Sequence, residues 1–411
     1  MFNRLNEILT LDQIDLSDKT VFVRSDLNTP IDLDNKELIE LNRITDSIQT
    51  INDLSSSKVV IGSHQGRVGR YDYITMKQHG LALENILNRK VKFIDDIYGP
   101  HAINEIKSMN KGDILLLDNL RFSAEENKEY TFETASKTQI IQKLHSLFDA
   151  CILDGFPTAH RAHPTIVGFL EYMPIISGRL VTNELEALSR LLTNAKSPYT
   201  AVLGGSKISD RLEAIDTLIA NGKANKVLVT GVLASVFLKA TKNVNGSLNL
   251  DNEKKLTEKA YNLIKSYPTT FEIPIDVAID NNGIKRVLSV SDVYNLNDIR
   301  DIGPKTIQAY SDIIKKSGTV YMSGPPGMFE KEQFKNGTEE LLRSLSSTLA
   351  NTIVSGGHLT AALEQYNIKD WIDHVSTSGG ALIQYLAGKE LPLINTLVES
   401  CKRYKNDEYR N

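Results

Sequence analysis

Short uninterrupted apolar runs alternate with longer amphipathic segments from one end of the chain to the other. Residues 21–23, 59–61, 114–117 and 151–153 are the clearest runs in the first half, and 201–203, 227–229, 319–321 and 352–354 continue the series. The runs are continuous rather than alternating, the signature of strands buried on both faces. Between them the spacing is helical. Leu41, Ile44, Ile48 and Ile51 share one helix face, as do Ile208, Leu212, Ile215 and Ile219. Strand–helix–strand repetition predicts α/β architecture, with parallel sheets covered by helices on both sides. The 411 residues set against ~100–200 per domain predict two domains. A boundary is expected at 172–178, Tyr-Met-Pro-Ile-Ile-Ser-Gly, where proline blocks a helix and Gly/Ser loosens the chain. The helical pattern over 180–192 would then link two α/β halves.

Composition narrows the function classes. Hydrophobic residues are 41 % and charged residues 24 %, enough for an ordinary core and against a disordered or fibrous chain. A net charge of −4 excludes the basic excess expected of a general nucleic-acid or anionic-membrane binder. Two cysteines, Cys151 and Cys401, allow no disulfide framework and no Cys-type zinc site. The first residues have no apolar signal-type segment, and the longest uncharged stretch, 344–363, is too rich in Ser, Thr and Gly to span a bilayer. A soluble, cytoplasmic protein is expected.

Polar residues crowd directly after the predicted strands. Asp26 and Asn28 follow the first; His64, Gly66, Arg67 and Arg70 the second; Asn119 and Arg121 the third; Asp154, His160, Arg161 and His163 the fourth. Ligands bind at the carboxyl ends of strands in open parallel sheets, and guanidinium groups grip phosphate or carboxylate through paired N–H groups. The first half therefore reads as a site for a small, highly anionic ligand. A single arginine at such a place is more often a surface ion-pair partner. Five of them (Arg43, Arg67, Arg70, Arg121 and Arg161) beside glycines reverse that balance. His160 and His163 also fit a helix surface or, less well, a metal pair, and no third ligand at fixed spacing accompanies them. In the second half, Gly204-Gly205-Ser206-Lys207 follows a strand and opens a helix, with Arg211 one turn on. Gly-Gly there also fits a plain tight turn. Recurrence at 355–357 and 376–380 favours a nucleotide polyphosphate site. No P-loop, dinucleotide turn or nucleophile elbow is present.

These residues resemble the phosphoglycerate kinase family over nearly the full chain. Val23-Arg24-Ser25-Asp26-Leu27-Asn28-Thr29-Pro30 is similar to its Val-Arg-x-Asp-x-Asn-x-Pro opening, and Ser63-His64-Gln65-Gly66-Arg67 to its Ser-His-Leu-Gly-Arg loop. Asp118-Asn119-Leu120-Arg121-Phe122 and Thr158-Ala159-His160-Arg161-Ala162-His163 resemble the next two motifs. Gly204-Gly205-Ser206-Lys207, Asp301-Ile302-Gly303-Pro304, Gly324-Pro325-Pro326-Gly327-Met328-Phe329-Glu330, His374-Val375-Ser376-Thr377 and Gly379-Gly380-Ala381 follow in the family's order. Ser177-Gly178-Arg179-Leu180 and Glu184-Leu185-Glu186-Ala187-Leu188 look most like archaeal members.

The resemblance implies two similar three-layer lobes, each with a parallel sheet covered by helices, joined by a hinge. It places residues 1–173, with the tail 389–411 packed back on them, in a phosphoglycerate domain and 174–388 in a nucleotide domain. It implies reversible phosphoryl transfer between 1,3-bisphosphoglycerate and ADP, giving 3-phosphoglycerate and ATP, by a monomer or homodimer. Asp26, Asn28, Arg43, His64, Gln65, Gly66, Arg67, Arg121 and Arg161 would bind the phosphoglycerate. Gly204, Gly205, Lys207, Arg211, Gly324, Glu330, Gly356, Gly357, His358 and Leu359 would form the nucleotide site. Arg43, Lys207, Gly379 and Gly380 would serve the transferring phosphoryl group. No protein-held metal is expected, Mg²⁺ arriving on the nucleotide. Four positions depart from the family pattern: Ser323 for Asn, Arg211 for Lys, Ser378 for the first of three glycines, and His358 for a metal-binding Asp. Ser378 is expected to restrict its turn. The competing readings are another ATP-dependent carboxylate or acyl-phosphate kinase, and a catalytically silent nucleotide-binding protein, which His358 and Ser323 would favour.

Overall fold

The computed structural model describes residues 5–32, 34–193, 195–205, 207–220, 224–242, 247–376 and 378–404. Ser206 and Thr377, both within motifs quoted above, and the ends 1–4 and 405–411 lie outside the described residues. The chain divides into two compact units, residues 1–186 with 390–411, and residues 187–389.

The first unit is built on a six-stranded parallel sheet of β1 (Thr20–Ser25), β2 (Lys58–Gly62), β3 (Val91–Ile94), β4 (Ile114–Leu117), β5 (Ala150–Asp154) and β6 (Ile175–Ser177). Its spatial order is β3-β4-β2-β1-β5-β6, with every neighbouring pair parallel. All four runs expected in this half are strands with little but buried positions. β6 corrects the expected boundary: Ile175-Ile176-Ser177 is not a linker but a buried strand pairing with Cys151–Leu153. Its three residues are too few to show a period beside the proline. β3 is an edge strand in which Lys92 faces solvent, so its apolar run is broken.

The helix Asn42–Asp53 buries Ile44 and Ile51 but leaves Leu41 exposed at its N-cap. The C-terminal helix Pro392–Tyr404 belongs to this unit. Ser400 Oγ accepts the Ile175 N–H at 2.7 Å, and the Leu393 N–H donates to the Ala159 carbonyl at 3.1 Å.

The helix Arg179–Leu192 carries the division between the units. Asp154, at the end of β5, accepts the Leu180 N–H at 2.9 Å and fills the N-terminus of this helix. Gly178 is required beside it, because a Cβ there would lie 2.2 Å from Asp154 Oδ1. Burial pushes the Asp154 carboxyl up to about 7, against the lowering pull of Thr50 and two backbone N–H groups. An acid whose folded pKa is raised contributes stability that is present below its unfolded pKa near 3.8 and lost as pH rises to about 7. The full span is worth roughly 4 kcal/mol. Asp154→Asn, which cannot ionise, is therefore expected to gain stability relative to the parent between pH 4.5 and 8. Thermal melts that stay parallel over that range would refute the assignment.

The second unit holds β7 (Tyr199–Leu203), β8 (Lys226–Val229), β9 (Phe271–Glu272), β10 (Asp276–Asn281), β11 (Ile284–Ser289), β12 (Ile299–Ile302), β13 (Thr319–Ser323), β14 (Asn351–Ser355) and β15 (His374–Ser376). Six form a parallel sheet in the order β15-β14-β13-β7-β8-β9. β11-β10-β12 form a small antiparallel sheet, which the apolar runs did not announce because β11 is mostly exposed. Ile208, Leu212, Ile215 and Ile219 are all buried on the helix Ile208–Ala220.

Candidate functional site

Because all strands of the first sheet run one way, the loops after β1, β2, β4 and β5 leave from the same edge. These loops hold one another. The Leu27 N–H donates to Ser63 Oγ at 2.8 Å, the Gly66 N–H to Asn28 Oδ1 at 2.8 Å, and the Gln65 N–H to Asn119 Oδ1 at 3.2 Å. Gln65 is fully buried. Its amide accepts the Thr29 N–H and donates to the Thr29 carbonyl, both at 2.9 Å, and His79 Nε2 lies 3.1 Å from its oxygen. The Gln65 side chain thus staples two loops together instead of facing a ligand.

Cations gather on this edge. Arg121 is buried and donates to the Gly66 carbonyl. Desolvation, then Arg161, Arg24 and Arg67, bring its pKa down to about 10. Burial and then Arg67 lower Arg161. Burial, then Arg24 and Arg121, hold His64 well below the imidazole range, and the same causes with Arg161 bring His163 to about 3. Both imidazoles are neutral at pH 7. The neighbouring guanidiniums make the charge on Arg121 and Arg161 costlier, a field that an anion of several charges relieves. Arg43, at the start of the helix Asn42–Asp53, donates to Asp26 Oδ2. Arg67 is exposed, and Arg161 and Asn28 are half-buried.

Sequence reasoning missed two groups here. Arg24, directly after the apolar run 21–23, belongs to the opening motif and carries no expected role, yet it is 1 % exposed and 3.4 Å from His64 Nδ1. Glu126, 3.5 Å from Arg24, carries no motif of its own. An arginine directly continuing a run predicted to be buried on both faces was the available signal, since such a charge demands a partner.

In the second unit the strand ends carry glycines packed backbone to backbone. A Cβ on Gly324 would lie 2.4 Å from the Gly204 carbonyl oxygen, one on Gly231 2.9 Å from the Gly205 nitrogen, and one on Gly379 3.3 Å from the Gly356 Cα. Gly205 and Gly324 have φ of 76° and 80°. Lys207 Nζ stands 3.6 Å from where a Gly380 Cβ would be, over the first turn of the helix Gly379–Leu386. Arg211 is buried, with Nη1 on the Lys207 carbonyl at 3.2 Å and Nε without a hydrogen-bond partner. Its Nη2 would be 3.1 Å from a Cβ on Gly205. Cations, a helix N-terminus and glycine turns meet as phosphate recognition requires.

A cleft of about 400 Å³ adjoins them, lined in part by Gly205, Leu238, Pro325, Met328, Glu330 and His358. Gly356 and Gly357 border open space. Leu359 is buried in the core instead. Ser323 is buried, its hydroxyl accepting from Ser355 Oγ at 3.1 Å. Ser378 has φ −99°, open to any residue, so the expected restriction of its turn does not arise. Among the described residues no three His, Cys, Asp or Glu side chains gather closely enough to hold a metal ion.

Residues 11–389 match the family model of phosphoglycerate kinase. A phosphoglycerate kinase from Methanothermus fervidus is 38 % identical over 407 residues, covering 97 % of this chain and 98 % of its own. The crystal structure of phosphoglycerate kinase from Pyrococcus horikoshii superposes with a TM-score of 0.89 at 35 % identity, covering 97 % of this chain and all of that one. The enzyme from Coxiella burnetii gives 0.78 at 30 % identity, covering 95 % and 99 %. With arginines gathered at the edge of the first unit's sheet, glycine turns at the strand ends of the second, and these likenesses over almost its whole length, the chain belongs to the phosphoglycerate kinase family.

Proposed function

We propose that the chain performs its family's reaction, phosphoryl transfer between 1,3-bisphosphoglycerate and ADP, with the first unit holding the glycerate and the second the nucleotide. As a family member it is a phosphotransferase with a carboxyl group as acceptor. The observation that carries the division of roles is the gathering of Arg24, Arg67, Arg121 and Arg161 at one sheet edge, where Arg161, Arg24 and Arg67 lower the pKa of Arg121 and Arg67 lowers that of Arg161. Phosphoryl transfer asks for positioning and positive charge around the equatorial oxygens. Asp26, Asn28, His64, Arg67, Arg121 and Arg161 position the phosphoglycerate. Gln65 and the Gly66 backbone shape its loop. Gly204, Gly205, Arg211, Gly324, Gly356 and Gly357 cradle the nucleotide phosphates, and Glu330 meets the ribose. Arg43 and Lys207 neutralise the group in flight, with Gly379 and Gly380 N–H groups assisting. Arg43 and Lys207 belong to different units. Hinge closure would bring them to one phosphoryl group and exclude water from the acyl phosphate.

Mg²⁺ enters with the nucleotide. Lys207, Arg211 and His358 offer no carboxylate oxygen, and imidazole suits this hard cation poorly. Of the carboxylates lining the cleft, Asp301 is taken up by the Ile302 and Gly337 N–H groups and Glu330 is assigned to the ribose, so the residues at the phosphate nest do not fit a protein-held Mg²⁺. Nucleotide oxygens and water would hold it. Among the described residues no helix is long and apolar enough to cross a membrane.

A coupled spectrophotometric assay with 3-phosphoglycerate and MgATP tests the reading, and turnover is expected. Nucleotide binding without turnover would establish a silent nucleotide-binding protein instead, and turnover only with another carboxylate would establish a different acyl-phosphate kinase.

A further inference from the structure

Beneath the anion basin lies a carboxylate outside the roles assigned above. Glu126, in the short segment Ala124–Asn127, is fully buried. Its Oε1 accepts the Thr165 hydroxyl at 2.5 Å and its Oε2 the Thr165 N–H at 3.2 Å. Oε1 also stands 3.5 Å from Arg24 Nη2 and 3.8 Å from His163 Nδ1, an atom with no hydrogen-bond partner. Arg24 is equally enclosed. Its Nε donates to Thr165 Oγ1 at 2.9 Å and its Nη1 to the Ser25 carbonyl at 2.5 Å, while Nη2 is 3.4 Å from His64 Nδ1. The Thr165 hydroxyl thus accepts a hydrogen bond from Arg24 and donates one to Glu126, which ties the place of each to the other.

Two consequences follow from charge and chain connectivity. A buried guanidinium among further cations needs a counter-charge, because an uncompensated buried charge is strongly disfavoured. Glu126 is the carboxylate paired with Arg24. Thr165 follows Arg161-Ala162-His163-Pro164 without a break. A carboxylate that grips both the N–H and the hydroxyl of Thr165 therefore anchors the loop presenting Arg161.

We propose that Glu126 is a positioning residue for phosphoglycerate: through Arg24 and Thr165 it sets the floor of the basin and the reach of Arg161. This rests on the reading that the basin binds phosphoglycerate. Glu126→Gln keeps the volume but offers one acceptor oxygen where two are used, and no charge for Arg24.

Isothermal titration of the full chain with 3-phosphoglycerate and, separately, with ADP reads the effect. Glu126→Gln is expected to weaken 3-phosphoglycerate about tenfold or more, the worth of hydrogen bonds to charged groups, with ADP affinity unchanged within about twofold. Unchanged 3-phosphoglycerate affinity, or equal loss for both ligands, would overturn the proposal. Should Glu126→Gln fail to fold, Thr165→Val removes only the linking hydroxyl. It is expected to weaken 3-phosphoglycerate about three- to tenfold and spare ADP, and unaltered binding would overturn the proposal equally. Failure of the parent chain itself to bind 3-phosphoglycerate would instead refute the reading of the basin.

Discussion

Arg43→Ala is expected to lower kcat by about 10²–10³-fold, the scale set by removing one preorganised donor to developing charge, while the KM for 3-phosphoglycerate rises far less. Arg43 is half-buried, and its guanidinium is held ready by Asp26, whose side chain is only 2 % exposed. An interaction made chiefly in the transition state shows in kcat, whereas uniform substrate binding shows in KM. Lys207→Ala should behave alike, since its Nζ stands over the first turn of the helix Gly379–Leu386 with open surroundings. Steady-state kinetics in both substrates checks this. Arg43→Ala also leaves Asp26 without that partner, so the melting temperature is measured alongside to separate a fold defect from a catalytic one. An unchanged kcat in either variant removes that residue from the transition state.

The second large effect is structural in origin and functional in outcome. Gly324→Ala is expected to destabilise the second unit by roughly 2–4 kcal/mol and to weaken ADP binding at least about tenfold, combining left-handed strain with a backbone clash. Its φ is 80°, and the new Cβ would meet the Gly204 carbonyl oxygen at 2.4 Å and Arg211 Nη2 at 2.8 Å. Neither backbone nor buried guanidinium can step aside without opening the nest. Gly357→Ala is the control: its φ is not left-handed and nothing lies within 4 Å of the added atom, so the melting temperature should barely move. Thermal denaturation and ADP titration of both variants decide the matter. Equal stability of the two would show that the close approach at Gly324 does not matter.

How legible the site was depended on where each residue's partner lay. Asp26, His64, Arg121 and Arg161 announced themselves by standing just past apolar runs, because parallel strands put all such loops on one edge. Gln65 was assigned to the ligand from its motif neighbours, but its partners, Thr29 and His79, come from two other segments that only packing brings together. Leu359 follows two glycines that border open space, yet the helix turns its side chain into the core. β6 was hidden because Ile175-Ile176-Ser177, three residues beside a proline, satisfy both a strand and a linker.

Periodicity and apolar runs were enough to establish parallel α/β sheets, the strand ends bearing the chemistry and the absence of familiar nucleotide loops, since these depend on neighbours within a few residues. The motif series was enough to establish the family. Folding alone settled which charges confront each other: that Arg24 and Glu126 share a buried relay, that Arg211 lies enclosed against Gly205, and that two imidazoles stay neutral among four arginines. Desolvation and through-space charge act over ångströms of packed protein, and separation along the chain carries no measure of that distance.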